Sequence, residues 1–208
     1  MKGVSEVISI VLIVIISIGL IATALMYGYP LIQKTQDRAQ LEKVASVFSP
    51  ELTNSLVKKL EYISNFGGSD SINIGVDGVW EVRSYTENSP YNNSISFSFF
   101  SKVTNIRSNQ YISLTPGEKC PPEVGLAGAK SPFVVCISGS QVADGFNITY
   151  TLFARNLDSE HQAFYTRILT SAPIERSTLK NIRISRENVD TYQEGGKRIT
   201  VITLRIVV

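Results

Sequence analysis

Glu6 is the one acidic side chain in "MKGVSEVISIVLIVIISIGLIATALMYGYP", and no other charge stands between it and Lys34. An ionised carboxylate at the mouth of an apolar run is costly unless it stays hydrated or meets a cation. Its chemistry is therefore ion pairing. Two cysteines, Cys120 and Cys136, lie in "EKCPPEVGLAGAKSPFVVCIS". They lack the CxxC spacing of a redox or zinc motif, and the chain has no second ligand pair. In an oxidising compartment they would close a short loop worth roughly 3 kcal/mol; otherwise they are two unrelated buried thiols. Asn92 in "NNS" and Asn147 in "NIT" are acceptor sequons for N-linked glycan in an exported chain. Asn147 falls inside a strand pattern, so its side chain must face outward to be used.

Catalytic signals are sparse. The single histidine, His161, sits in the polar stretch "NLDSEHQAF" and reads as a surface residue. No HExxH or GxSxG motif occurs, and "GLAGAKS" lacks the glycine that a phosphate loop places before its lysine. Arg176, Lys180, Arg183 and Arg186 form a loose basic cluster that reads as a solvated strand face. A net charge of +2 is too small to single out nucleic acid or an anionic membrane as partner. The expectation is a chain that is not an enzyme, with no cofactor, no metal site and no nucleic-acid partner. Charged residues make up only 18%, so the polar surface must rest on Ser, Thr, Asn and Tyr, which suits an exported protein.

The elements that position these residues begin with Val7 to Met26. Twenty residues at a helical rise of 1.5 Å span a hydrocarbon core of about 30 Å. The segment is apolar all round and must be buried in lipid or protein. Three readings compete: a signal peptide ending at Ala22-Thr23-Ala24, a membrane anchor, and a helix that leaves the membrane to pack against copies of itself. The apolar run continues past Ala24, and a helical pattern resumes after Pro30, which weighs against cleavage there. Ten of the twenty residues are Val or Ile, stiff side chains that lose little entropy on packing. Gly19 and Thr23, and Ala24 and Gly28, stand four apart, the spacing that lets helices approach closely. Lys2 places the N-terminus inside and the bulk of the chain outside.

Beyond Pro30, "LIQKTQDRAQLEKVASVF" has the period of an amphipathic helix, with Pro30 as a kink. A second helix is expected to start with Ser49 as cap and Pro50 at its first position, and to stop at Gly67-Gly68. The period then changes to two. "SINIGVDGVWEVRSY" reads as two strands around an Asp77-Gly78 hairpin turn. "SISFSFF", "SPFVVCIS", "FNITYTLF", "QAFYTRILT" and "NIRIS" follow as strands. "KRITVITLRIVV" closes the series after a Glu194-Gly195-Gly196 turn and reads as a central strand. Eight or nine strands with no intervening helices favour an antiparallel sandwich.

"KGVSEVISIVLIVIISIGL" resembles the class III leader and N-terminal helix of an archaeal type IV pilin. The resemblance covers roughly the first thirty residues. It implies that a prepilin peptidase cuts between Gly3 and Val4, after Lys2, on the cytoplasmic side, so that the apolar helix stays with the mature chain. Glu6 would then be the third mature residue, against the fifth in bacterial pilins. In that role it would neutralise the Val4 amine of a neighbouring subunit and set register between helices. The resemblance also implies an assembly ATPase and a membrane platform protein as partners. It implies a helical homopolymer as product, and residence in the cytoplasmic membrane before assembly into an extracellular filament. The expected organisation is α+β: a leader at 1–3, a helical arm at 4–66 and an Ig-like β-sandwich at 67–208. The expected function is a pilus subunit for adhesion, aggregation or motility. Two alternatives stay open: a single-pass anchored binding module that contacts an S-layer or appendage, and a soluble protein secreted after cleavage at Ala24.

Overall fold

The computed structural model describes residues 2–87, 89–104, 106 and 109–208, with side chains from Ile8 onward. The leader positions Lys2, Gly3 and Val4 are described as helical backbone only, and the side chains of Lys2, Val4 and Glu6 lie outside the described part. Two helices come first, α1 (Lys2–Phe48) and α2 (Leu56–Phe66). Six strands follow: β1 (Ser69–Asn73), β2 (Val79–Arg83), β3 (Ser94–Ser101), β4 (Ile112–Ser113), β5 (Gly125–Leu126) and β6 (Phe133–Val142). Six more complete the chain: β7 (Gly145–Ala154), β8 (Leu157–Asp158), β9 (Gln162–Leu169), β10 (Ile174–Ser177), β11 (Asn181–Glu194) and β12 (Lys197–Val207). The architecture is α+β, one long N-terminal apolar helix followed by a β-rich region of two sheets.

The chain divides into two compact units, 1–39 and 40–208. The boundary falls inside α1, so the end of that helix and all of α2 belong with the strands. In the second unit Val44 and Phe48 are fully buried, and Phe48 lies 5.4 Å from the ring of Tyr150.

α2 does not begin at Ser49 and Pro50. Its cap is Ser55, which accepts a hydrogen bond from the Lys58 N–H at 3.3 Å. Tertiary burial decides the start: Leu56 and Val57 are buried, whereas Leu52 is half exposed. The helix ends at Gly67, whose φ of 83° suits glycine and whose N–H donates to Ile63. A Cβ at Gly67 would also lie 2.4 Å from the Arg186 guanidinium. That guanidinium caps the helix by donating to the carbonyls of Ser64 and Asn65.

One sheet has the order β1-β11-β12-β9-β8-β5, the other β10-β2-β3-β7-β6-β4. Their facing side chains share one core with α2, in which Trp80 packs 4.8 Å from Phe97. β12 is an interior strand, joined to β11 through Gly195 and Gly196, both at positive φ as a two-residue hairpin turn demands. The sheets are not wholly antiparallel, because β12 pairs β9 in parallel over eight residue pairs and β5 pairs β8 in parallel. The connection from β9 to β12 visits the other sheet as β10 before returning, which gives it the length that a parallel crossover needs.

The expected Asp77-Gly78 hairpin is also corrected. β1 pairs β11 in one sheet, and β2 pairs β3 and β10 in the other. The link between them passes through the core, where Ile74 and Val76 are buried. Gly78 serves close approach there, since a Cβ would sit 2.6 Å from the Ser98 carbonyl oxygen of β3.

Candidate functional site

In the first unit the apolar segment of α1 is long and apolar enough to cross a membrane. Every Val, Ile and Leu from Ile8 to Leu25 is at least 50% exposed. Thr23 returns its hydroxyl to the Gly19 carbonyl at 2.7 Å, which hides the polar atom from the apolar surface. A Cβ at Gly19 or Gly28 would meet nothing within 4 Å. Neither glycine is therefore required by contacts among the described residues. Ala24 follows Gly19 by five residues, about 140° round the helix, so the two small-residue pairs mark different faces.

In the second unit Cys120 and Cys136 are joined in a disulfide, with Cα atoms 6.1 Å apart. Cys136 is on β6, so the bridge ties the loop before it to the second sheet. Replacing both cysteines by serine is expected to lower stability by about 3 kcal/mol, as expected for a loop of this length. Denaturant unfolding of the full chain in detergent measures it, and reductant should bring the parent to the variant's midpoint. An unchanged midpoint would mean that the loop is held without the bridge.

The same loop carries a buried ion pair. Arg155, at the end of β7, has a side chain only 4% exposed and donates to Glu118 at 2.5 and 3.1 Å. Its Nε donates to the Ser131 carbonyl, and Lys130 approaches Glu118 at 3.1 Å. The Arg155 guanidinium, with help from Lys130, holds the Glu118 carboxyl below its ordinary range despite burial.

Asn147 is exposed on β7, whereas Asn92 is half-buried and donates its side-chain amide to Thr86. Asn93, the middle residue of the first sequon, is a residue that motif reading passes over. It is 6% exposed, has a φ of 65°, and links the sheets. Its Nδ2 donates to Ala154 and Thr166, and its Oδ1 accepts from the Ile168 N–H. An asparagine between strand patterns, the residue type that best tolerates positive φ after glycine, was the available signal.

His161 is exposed at the bend before β9. The basic residues separate: Arg176 pairs with Glu81, Lys180 with Asp77, and Arg186 caps α2, while Arg183 is exposed on β11. Among the described residues no three His, Cys, Asp or Glu side chains converge as a metal site. No family model, curated protein or solved structure matches the chain.

Proposed function

We propose that the chain is an archaeal type IV pilin, a structural subunit that polymerises through α1. The two sheets would form an Ig-like sandwich on the outer wall of the filament. The observation that supports this reading is the uncharged, largely apolar surface of the helix from Ile8 to Leu25, broken only by Ser9, Ser17, Gly19 and Thr23. Such a surface needs lipid or protein around it. The cytoplasmic membrane provides the first before assembly, and copies of the same helix provide the second.

Relative to water, burying about twenty apolar side chains supplies tens of kcal/mol at roughly 25 cal/mol per Å². Relative to lipid the gain is far smaller, because acyl chains are already apolar. Extraction therefore calls on an assembly ATPase and a membrane platform protein. Register comes from polar chemistry: Glu6 neutralises the Val4 amine that a prepilin peptidase exposes by cutting after Gly3. Gly19 and Thr23 admit one neighbouring helix, and Ala24 and Gly28 admit another on a different face. Asn147, exposed on its strand, is the favoured glycan acceptor. The filament serves adhesion, aggregation or motility.

The test is the intact mass and N-terminal peptide of protein sheared from the cell surface. A chain that begins at Val4 is the expected result. A start at Leu25 would return the protein to the soluble secreted class. An intact Met1 confined to membranes would make it a single-pass anchored binding module.

A further inference from the structure

β11 is far longer than the strand beside it. β1 pairs with it only over Asn181–Ser185, and a bulge between Arg186 and Asn188 marks the end of that half. From there to Glu194 the strand has β12 on one side and, among the described residues, no strand on the other. Every residue from Glu187 to Glu194 is exposed. The remaining sheet edges are short or covered. β4 and β5 have two residues each and β10 has four. Along β1, Lys59 donates to the Ser71 carbonyl at 2.9 Å. An open edge of this length is a template for another strand.

The hairpin turn decides which way the backbone groups of this edge point. A two-residue turn closes on a hydrogen-bonded pair, here Glu194 with Lys197. Alternation along the ladder then turns the N–H and C=O of Val189, Thr191 and Gln193 away from β12. The Val189 N–H accordingly donates to Asn188 Oδ1 at 2.8 Å. Thr191 and Gln193 have no backbone partner on that side among the described residues.

We propose that this edge pairs antiparallel with the same edge of a second copy of the chain, with Thr191 on the two-fold axis. Outward groups must meet outward groups, so the axis passes through a residue and not between two. With Thr191 on it, Val189 lies opposite Gln193, Asp190 opposite Tyr192, and Asn188 opposite Glu194. No like charges meet. Glu187 falls opposite the Gly195 turn and is already paired with Arg205 at 2.6 Å. With Asp190 on the axis it would face its own copy, and with Tyr192 on the axis Asp190 would face Glu194. Like charges directly opposite are destabilising, and an axis nearer either end shortens the pairing. The acidic residues thus select one register. A contact of this kind is isologous, whereas subunits within a polar filament meet through heterologous contacts. In a filament the pairing therefore joins one filament to another. Every residue it uses lies in the second unit, so the proposal stands apart from the filament reading.

The test mixes two full-length chains in detergent, Asp190→Cys and Tyr192→Cys, one of them carrying a size tag. Both positions are exposed. In the proposed register position 190 of one copy and 192 of the other have Cα atoms about 4.5 Å apart, within disulfide reach. Like positions are diagonal neighbours about 8 Å apart, out of reach. Under mild oxidation the mixture should give at least about fivefold more reducible dimer than either chain alone. Adding Thr191→Pro to both chains should abolish the excess, because it removes an outward N–H and spares the ladder to β12. Its unfolding midpoint should move no more than an ordinary surface change moves it. Equal dimer from the mixture and the single chains, as association through α1 alone would give, overturns the assignment. So does an excess that survives Thr191→Pro.

Discussion

Asn93→Ala is expected to lose about 4 kcal/mol or more of stability. The substitution orphans the carbonyls of Ala154 and Thr166 and the N–H of Ile168, each at about 1–3 kcal/mol when buried. It also places alanine at a φ of 65°, which costs roughly 1–2 kcal/mol beyond asparagine's tolerance. Asn93→Gly separates the two contributions, since glycine relieves the backbone and still loses all three hydrogen bonds. Asn93→Asp keeps the acceptor for Ile168 but turns a carboxylate oxygen toward two carbonyls, so it should not rescue. Denaturant unfolding of the three full-length variants decides the matter. A loss within about 0.5 kcal/mol for alanine, the range of ordinary surface changes, would show that the sheets do not depend on this clamp.

Arg155→Ala carries the second large expectation, a loss of about 3–5 kcal/mol. The cost arises because Glu118, only 11% exposed, keeps its charge and retains Lys130 alone as a partner. Glu118→Gln should cost a comparable amount, because it leaves the Arg155 guanidinium, only 4% exposed, without its anion, although the amide oxygen can still accept one hydrogen bond from it. The pair also has a pH signature. The folded carboxyl titrates below its ordinary 4.5, so its stabilisation is complete above that value and is lost as pH falls through the depressed one. Unfolding midpoints at about pH 7 and about pH 3 should differ less in Arg155→Ala than in the parent. Equal acid sensitivity in both would assign the acid limb to the exposed pairs, such as Asp70 with Lys59 or Glu187 with Arg205, whose carboxyls are lowered in the same direction.

Much of the β-rich region was legible because period-two patterns mark strands that bury one face. "SISFSFF", "FNITYTLF" and "KRITVITLRIVV" became β3, β7 and β12, and the glycine pair before β12 announced its turn. Pairing partners were not legible. The alternation in β9 and β12 is compatible with either direction, and only the detour through β10 makes them parallel neighbours. The Asp77-Gly78 signal misled because a glycine needed for close backbone approach looks the same as one needed for a turn. Ser49-Pro50 misled for a related reason: capping chemistry is worth about 1 kcal/mol, and the burial of Leu56 and Val57 outweighs it. Two-residue strands such as β4, β5 and β8 carry no period at all.

For the candidate sites the division is similar. Lys2, Gly3, Val4 and Glu6 are visible only in sequence, as a short run ahead of the apolar segment. Gly19 and Gly28 were legible as members of small-residue pairs four apart, and the structure adds that no contact among the described residues requires them. The role of Asn93 was not legible, because an asparagine that clamps two sheets looks the same in sequence as one that serves a turn.

The place of β1 has a bearing on biosynthesis. Ser69 pairs with Ser185, so the first strand to leave the ribosome waits for almost the last, and β12 must then slot between β11 and β9. Contacts this distant in sequence are slow to form, and sheet edges stay open in the interval. The first sheet therefore cannot be completed until the last two strands have been made, whereas β2, β3, β7 and β6 of the second can pair as soon as residue 154 is in place.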